Sequence, residues 1–327
     1  MHRSSLLRAA SLAPTLLLAA SALAGCASLA VATAPAKPSI PDDSPAAVAA
    51  DRAFWEALHG GHYDQIAAAL EPLQAEYLSH PNDPKLAAHV AFLHVWRVTE
   101  RSRLPSPPAT ITDDIALARR YFQEAVALAP DDARFRGFLA GMTMAEGRIH
   151  RDEKLTRQGF FAMNEAVDAW PEFNLFTRGY VMSSLPYDDP RYADAVDDQW
   201  RNLDVCADAK LDRRNPDFGP YMALERHDGM KRACWNSWIA PHNFEGFFLN
   251  MGDMVVKAGD ATTGRKLYAQ AKLSKQYDSW PLRDLLERRI AQAEDNVAMF
   301  RAPGVGETER KIMGQTGFAC TGCHQEK

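Results

Sequence analysis

The spacing of apolar residues constrains the fold of this chain more than any other feature of its sequence. Between residues 46 and 302 apolar side chains recur with the period of an α-helix, and the alternation typical of strands is nearly absent. In one clear stretch Ala118, Phe122 and Ala125 share a helix face, and Pro130 stops the helix. The pattern predicts an all-α fold.

That stretch also forms an Ala-x3-Phe-x2-Ala-x4-Pro string, which resembles the second helix of a tetratricopeptide repeat. Small alanines let two helices approach closely, and the aromatic ring fills the gap between hairpins. The weaker copies use Gly159, Met163, Ala166, Pro171, Phe248, Met251, Gly252, Gly259, Gly264, Tyr268 and Ala271. The resemblance implies a solenoid of four or five helical hairpins, with Gly252 at a close crossing and Gly259 at a turn. By analogy of fold, such arrays are usually scaffolds that bind proteins.

The N-terminus has the pattern of a secretory signal. A basic start precedes the apolar run Leu12–Ala24, whose 13 residues are too few to span a bilayer. The run ends in Leu-Ala-Gly-Cys, which resembles the lipobox of bacterial lipoproteins. This resemblance implies cleavage before Cys26, a lipid on that cysteine and, with Ala27 following, an outer-membrane location facing the periplasm. The alternative is an ordinary signal peptide cut near Ala24.

Composition shifts along the chain predict its organisation. The proline-rich stretch after the signal is expected to be an unpacked tether. A second cluster of prolines and tryptophans interrupts the helical pattern and predicts an irregular helical insertion or an elaborated repeat packed on the solenoid. The predicted parts are a signal peptide (1–25), a disordered tether (26–45), tetratricopeptide-like repeats (46–185), the insertion (186–245), a last hairpin (246–300) and a haem-attachment segment (301–327).

The motif that predicts chemistry is Cys320-Thr321-Gly322-Cys323-His324, the C-x-x-C-H signature of c-type haem attachment. Two thiols at this spacing can add to the two haem vinyl groups, and the histidine then lies beneath the iron as its proximal ligand. A thioredoxin-like pair would need a βαβ setting, a zinc site would need further nearby ligands, and a plain disulfide would not explain His324. We therefore expect one covalent haem c on Cys320, Cys323 and His324.

The ligand on the other side of the iron stays open at this stage. A motif near the chain end resembles that of cytochrome c′, whose iron can be five-coordinate. Met313 lies 11 residues before His324, and four nearby glycines would permit a loop over the haem. Met313 is the preferred candidate. Met299, His227, His242 and an open or water-bound iron remain alternatives, because methionine is often core filler and a lone histidine is often merely polar.

Cys206 and Cys234 are the remaining cysteines. In an oxidising compartment two spare cysteines are expected to form a disulfide, which here would staple the proline-rich insertion. A regulatory thiol pair is the functional alternative.

Other polar groups give no further motif. His89 and His94 lie about 140° apart around a helix, so they do not share a metal-facing stripe. The carboxylate pairs Asp42-Asp43, Asp113-Asp114 and Asp197-Asp198 have the pattern of helix caps and solvated faces. No phosphate-binding loop or hydrolase motif is present in the sequence.

These features predict a membrane-tethered monohaem c-type cytochrome that carries single electrons to or from a redox partner docked on a helical scaffold. Two rivals remain: a lipoprotein scaffold whose haem senses redox state or a gas, and a haem reductase or peroxidase. An enzyme is the less favoured reading, and a di-haem peroxidase would need a second attachment motif. A net charge of −5 argues against nucleic acid as the partner.

Overall fold

The structure, a computed structural model, describes residues 28–101, 104–183, 185–235 and 244–301. Within these ranges the chain is helical and has no strand, which confirms the prediction of an all-α fold. The chain divides into two units, Met1–Pro38 and Ser39–Lys327. The second unit contains helices α1 Pro45–His59, α2 Ile66–Ser79, α3 Pro84–Thr99, α4 Asp113–Leu128, α5 Ala133–His150, α6 Glu153–Ala169, α7 Pro171–Met182, α8 Pro190–Ala207, α9 Phe244–Ala258, α10 Ala261–Gln270, α11 Arg283–Ala291 and α12 Ala293–Arg301.

Successive helices pack as hairpins. The contacts are most extensive within the pairs α5 with α6, α3 with α4, α7 with α8, and α9 with α10, followed by α4 with α5 and α1 with α2. Only Arg151 and Asp152 separate α5 from α6, and Asp152 accepts a hydrogen bond from the backbone at the start of α6. Such short connections leave consecutive helices side by side, so each helix packs mainly on its sequence neighbours.

Glycines allow the closest approaches between helices. A Cβ atom at Gly252 on α9 would overlap the ring of Tyr268 on α10. At Gly159 on α6, a Cβ atom would lie 2.7 Å from the carbonyl oxygen of Ala140 on α5. Gly259, between α9 and α10, has a φ of 114°, which disfavours any other residue. The predicted crossing at Gly252 and the predicted turn at Gly259 are both confirmed.

Two cores run along the body. The N-terminal core, on helices α1 to α5, is built around buried residues such as Phe54, Leu93 and Phe122. The C-terminal core, on helices α7 to α12 and the segment 208–235, is built around residues such as Phe248 and Tyr268.

Residues 186–245, predicted as an irregular helical insertion, include a regular helix near their start. Pro190–Ala207 is a helix of 18 residues that packs on α7. Pro190 occupies its first turn, where proline is favoured, and Asp189 caps the start by accepting from the backbone of Arg191. The irregular part among the described residues is 208–235, here named the stapled segment.

The expected unpacked tether is shorter than predicted. The backbone N–H of Ile40 donates to the carbonyl oxygen of Asn82 at 2.9 Å, and that of Asp42 donates to the Asp83 carboxylate at 2.7 Å. The chain therefore joins the body before the first helix begins, because two hydrogen bonds fix it to the turn that precedes α3.

Candidate functional site

The residues predicted to attach and ligate the haem lie outside the described residues. These are Cys320, Cys323, His324, Met313 and the alternative ligand His242; the predicted lipidation site Cys26 also lies outside them. The chemistry of the donor set fits the group: two thiols for the two vinyl groups and an imidazole for the iron.

The structure describes the point from which the chain leads towards these residues. Arg301, the last residue of α12, donates from Nε to the carbonyl oxygen of Lys257 at 2.9 Å and from its terminal nitrogen to that of Ala258. Its guanidinium carbon also lies 4.3 Å from the centre of the Tyr187 ring. A cation bonded to the last carbonyls of a helix is favoured by the helix dipole. The end of α12 is thus held to the end of α9.

Lys257, whose carbonyl oxygen accepts from Arg301, in turn bonds to the chain that follows α7. Its Nζ donates to the carbonyl oxygens of Ser183 and Leu185 at 2.9 and 2.7 Å, and lies 4.7 Å from the centre of the Tyr192 ring. The Tyr192 hydroxyl donates to the carbonyl oxygen of Met254 at 2.9 Å. Burial raises the pKa of Tyr192 well above its usual value. The hydroxyl therefore remains protonated and a donor at physiological pH.

A buried ionic contact lies beside these residues. The Asp253 carboxylate accepts from the Tyr268 hydroxyl at 2.5 Å and lies 3.2 Å from Nε of Arg289. The Arg289 guanidinium carbon is 5.2 Å from the centre of the Phe300 ring on α12. Burial and the neighbouring Asp253 raise the pKa of Tyr268 well above its usual value. Together, the contacts among Asp253, Tyr268, Arg289 and Phe300 join α9, α10, α11 and α12.

Two of the alternative iron ligands lie within the described residues. Met299 on α12 is partly buried and packs against the C-terminal core, which is the environment of a core methionine. The side chain of His227, in the stapled segment, is 58% exposed, and its Nε2 lies 3.3 Å from a carboxylate oxygen of Glu225. These two candidates therefore occupy an apolar and a solvated environment respectively.

Cys206 and Cys234, the pair expected to form a disulfide, are bonded in the structure, and their Cα atoms lie 5.6 Å apart. The bond ties the stapled segment to the end of α8. A second contact holds the same segment to the start of α7, because the indole N–H of Trp170 donates to the carbonyl oxygen of Met230 at 2.9 Å. The guanidinium carbon of Arg232 lies 4.4 Å from the centre of the Trp170 ring.

The histidines of α3 point to different helices. Nδ1 of His89 lies 2.9 Å from the Asp51 carboxylate on α1, whereas Nδ1 of His94 lies 2.6 Å from the Asp114 carboxylate on α4. The expectation that they share no metal-facing stripe is confirmed. The expectation of a solvated face is wrong for Asp114. This residue is buried, and its carboxylate contacts the buried His94 imidazole.

The expectation of a solvated face is also wrong for Asp198 in the C-terminal region. This residue is buried and accepts two hydrogen bonds from the Arg178 guanidinium, at 2.6 and 2.5 Å. Asp42 also has a specific partner, since its carboxylate lies 2.9 Å from Nδ1 of His80. The Glu76 carboxylate lies 3.6 Å from the same nitrogen. These contacts join the incoming chain to the end of α2.

A groove lies on the surface of α4, α5 and α6, with a volume of about 310 Å³. Its apolar lining consists of Val126, Leu139, Ala140, Leu155 and Ala162. Arg119 and Arg136 at the rim pair with Glu146 and Glu165 respectively. The charges at this rim are therefore paired.

Comparison with known proteins adds no name to this site. No protein-family model, curated protein or solved structure matches the chain. Within the part of the chain that the structure describes, no helix has both the length and the apolar character needed to cross a bilayer.

Proposed function

We propose that this protein is a membrane-tethered, monohaem c-type cytochrome that transfers single electrons. The observation that carries the proposal is the string Cys320-Thr321-Gly322-Cys323-His324. When bound, the haem supplies one-electron chemistry at its iron. The chain would hold it through thioether bonds from Cys320 and Cys323 and an axial bond from the His324 imidazole.

The rest of the chain would then act as a scaffold. The sequential hairpins, with a small residue at Gly159 and Gly252 where neighbouring helices approach closely, support a tetratricopeptide-like arrangement. We propose that a redox partner docks on this scaffold. The Leu-Ala-Gly-Cys string supports a lipid on Cys26, which would keep the scaffold on the periplasmic side of a bacterial membrane, with the outer membrane favoured.

Arg301 supports a defined origin for the haem-attachment segment. Its hydrogen bonds to Lys257 and Ala258 fix the position of the last described residue before that segment. From there 18 residues precede Cys320, which corresponds to a reach of at most about 60 Å in a fully extended chain. The partner and the haem would therefore meet within a bounded distance of the end of α12.

The proposal is tested by visible absorption spectra of protein from a host that attaches c-type haem in the periplasm. Spectra are taken oxidised, reduced, and reduced under carbon monoxide. An electron carrier with Met313 on the iron should show a methionine–iron band when oxidised and should ignore carbon monoxide. Met313→Ala should remove that band, whereas the matched variant Met299→Ala should keep it.

The other outcomes separate the rivals. A high-spin haem that binds carbon monoxide would contradict the six-coordinate carrier and would favour a gas sensor or a haem reductase. Loss of the band in Met299→Ala alone would assign the iron ligand to α12. A protein without covalent haem would contradict the proposal as a whole.

A further inference from the structure

The contact between α1 and α3 buries a titratable side chain, the imidazole of His89. His89 on α3 is 7% exposed, and its ring stacks on that of Phe54 on α1 with 4.0 Å between ring centres. Trp55 meets the same imidazole edge-on at 5.4 Å. A neutral imidazole fits between two aromatic rings, but a charged one loses the solvation that it would have in water.

A second buried histidine lies on α1 itself. His59, the last residue of α1, is 8% exposed, and its ring centre lies 5.1 Å from that of Trp55. Burial lowers the pKa of His59 from 6.5 to about 4. Both imidazoles therefore contact one tryptophan, and both are neutral at pH 7.

The charged groups around these histidines only partly offset the burial. Asp51 on α1 favours the charged form of His89, as does Asp83, whereas Lys85 opposes it. Burial is the largest influence, so the pKa of His89 is lowered. The ring that meets His89 from within α3 is Phe92, which carries no charge, at 6.5 Å. His62, on the turn after α1, is exposed.

We propose that the contact between α1 and α3 is an acid-sensitive joint: protonation of the His59 and His89 imidazoles releases α1 from α3. This inference does not depend on the haem, since every group in it lies in the first two hairpins.

The direction of the pH effect follows from the two states. In the released state both imidazoles are solvated and take up protons near pH 6.5, whereas in the docked state they take them up at lower pH. Docking is therefore strongest above pH 6.5 and weakens as the pH falls towards 4. For His59 alone, the opening equilibrium should rise roughly 50- to 100-fold between pH 7.5 and pH 4.5.

Hydrogen exchange of the full-length chain at pH 7.5 and pH 4.5, corrected for the intrinsic exchange rates, tests the joint. Amides of α1 should lose roughly 50- to 100-fold protection at the lower pH, while those of α9 keep most of theirs. The variant His59→Phe with His89→Phe keeps the rings but cannot titrate, so its α1 protection should be nearly the same at both pH values. The matched control His62→Gln should retain the full loss.

Two results would overturn the joint. One is an equal pH-dependent loss of α1 protection in wild type and in the double variant, which would make the histidines merely structural. The other is parallel loss in α1 and α9, which would show global unfolding instead. Should the double variant fail to fold, the wild-type imidazoles can be titrated by NMR: titration of both near pH 6.5 with α1 still protected would also overturn the proposal.

Discussion

The two halves of the body share one pattern of helical hairpins but stabilise it with different polar chemistry. The N-terminal region contains two histidine–carboxylate pairs that join helices, His89 with Asp51 and His94 with Asp114. An imidazole can change charge as the pH falls, and burial lowers the pKa of His89, so the contact of His89 can respond to acid. Contacts between neighbouring helices can therefore depend on pH in this region.

The C-terminal region uses groups whose charge is fixed. Arg178 pairs with Asp198, and Arg289 contacts Asp253. A guanidinium stays charged at any physiological pH. The disulfide between Cys206 and the stapled segment adds a covalent link. The C-terminal region therefore keeps the charge of its buried guanidinium groups across the physiological pH range, whereas the first helices contain buried imidazoles.

The largest expected effect tests the fixed charges. Arg178→Met removes both hydrogen bonds to Asp198 and leaves that carboxylate buried, so we expect it to lower the free energy of unfolding by about 3–5 kcal/mol. The matched control is Arg201→Met, since Arg201 lies 3.4 Å from the same carboxylate but its side chain is 49% exposed. Chemical denaturation should show less than about 1 kcal/mol for the control. Similar losses in both variants would contradict the assignment.

The next effect concerns the covalent link. Replacing both cysteines, Cys206→Ala with Cys234→Ala, should destabilise the protein by about 3–4 kcal/mol, because the bond closes a loop across 28 positions. Hydrogen exchange should show the loss in the stapled segment and α8 before it reaches α1. If α1 opened first, the two regions would not be stabilised independently.

Within the N-terminal region, Asp114→Ala tests the histidine–carboxylate pairs. The substitution leaves Nδ1 of buried His94 without its acceptor, which should cost about 1–3 kcal/mol at pH 7. Asp113→Ala is the control, because Asp113 is exposed in the same helical turn and shares any effect of the helix dipole. Equal effects in denaturant melts would show that the dipole, and not the pair, accounts for the loss.

The smallest effect tests packing at the hairpin crossings. Gly252→Ala should destabilise by about 1–3 kcal/mol, because the new methyl group would overlap the Tyr268 ring. Gly141→Ala should stabilise by about 0.5–1 kcal/mol, since its methyl group would meet only Met163, at 3.9 Å, in a helix interior. Thermal melts of the two variants should therefore shift in opposite directions; a common sign would contradict the crossing geometry.

Sequence reasoning found the features that are local or periodic. The period around Phe122 gave the helices, and the small residues Gly252 and Gly259 gave a crossing and a turn. It missed the buried ion pairs, because each joins two helices: His94 lies 20 positions from Asp114, and Arg178 lies 20 positions from Asp198. No helical spacing rule connects residues that far apart.

Proline was the other source of error. The cluster of prolines around Pro190 predicts irregular structure, although a proline directly after an aspartate cap is favoured in the first turn of a helix. The early end of the tether depended on Asp42 meeting Asp83, a contact 41 positions apart that composition does not reveal.

The most direct test of the central claim is the intact mass of the denatured, purified protein from a haem-maturing host. We predict a chain heavier by one haem, which remains attached after denaturation. The variant Cys320→Ala with Cys323→Ala should lack that mass, whereas Cys206→Ala with Cys234→Ala should keep it. A wild-type chain without the added mass, from a host shown to attach haem to another c-type cytochrome, would contradict the proposed function.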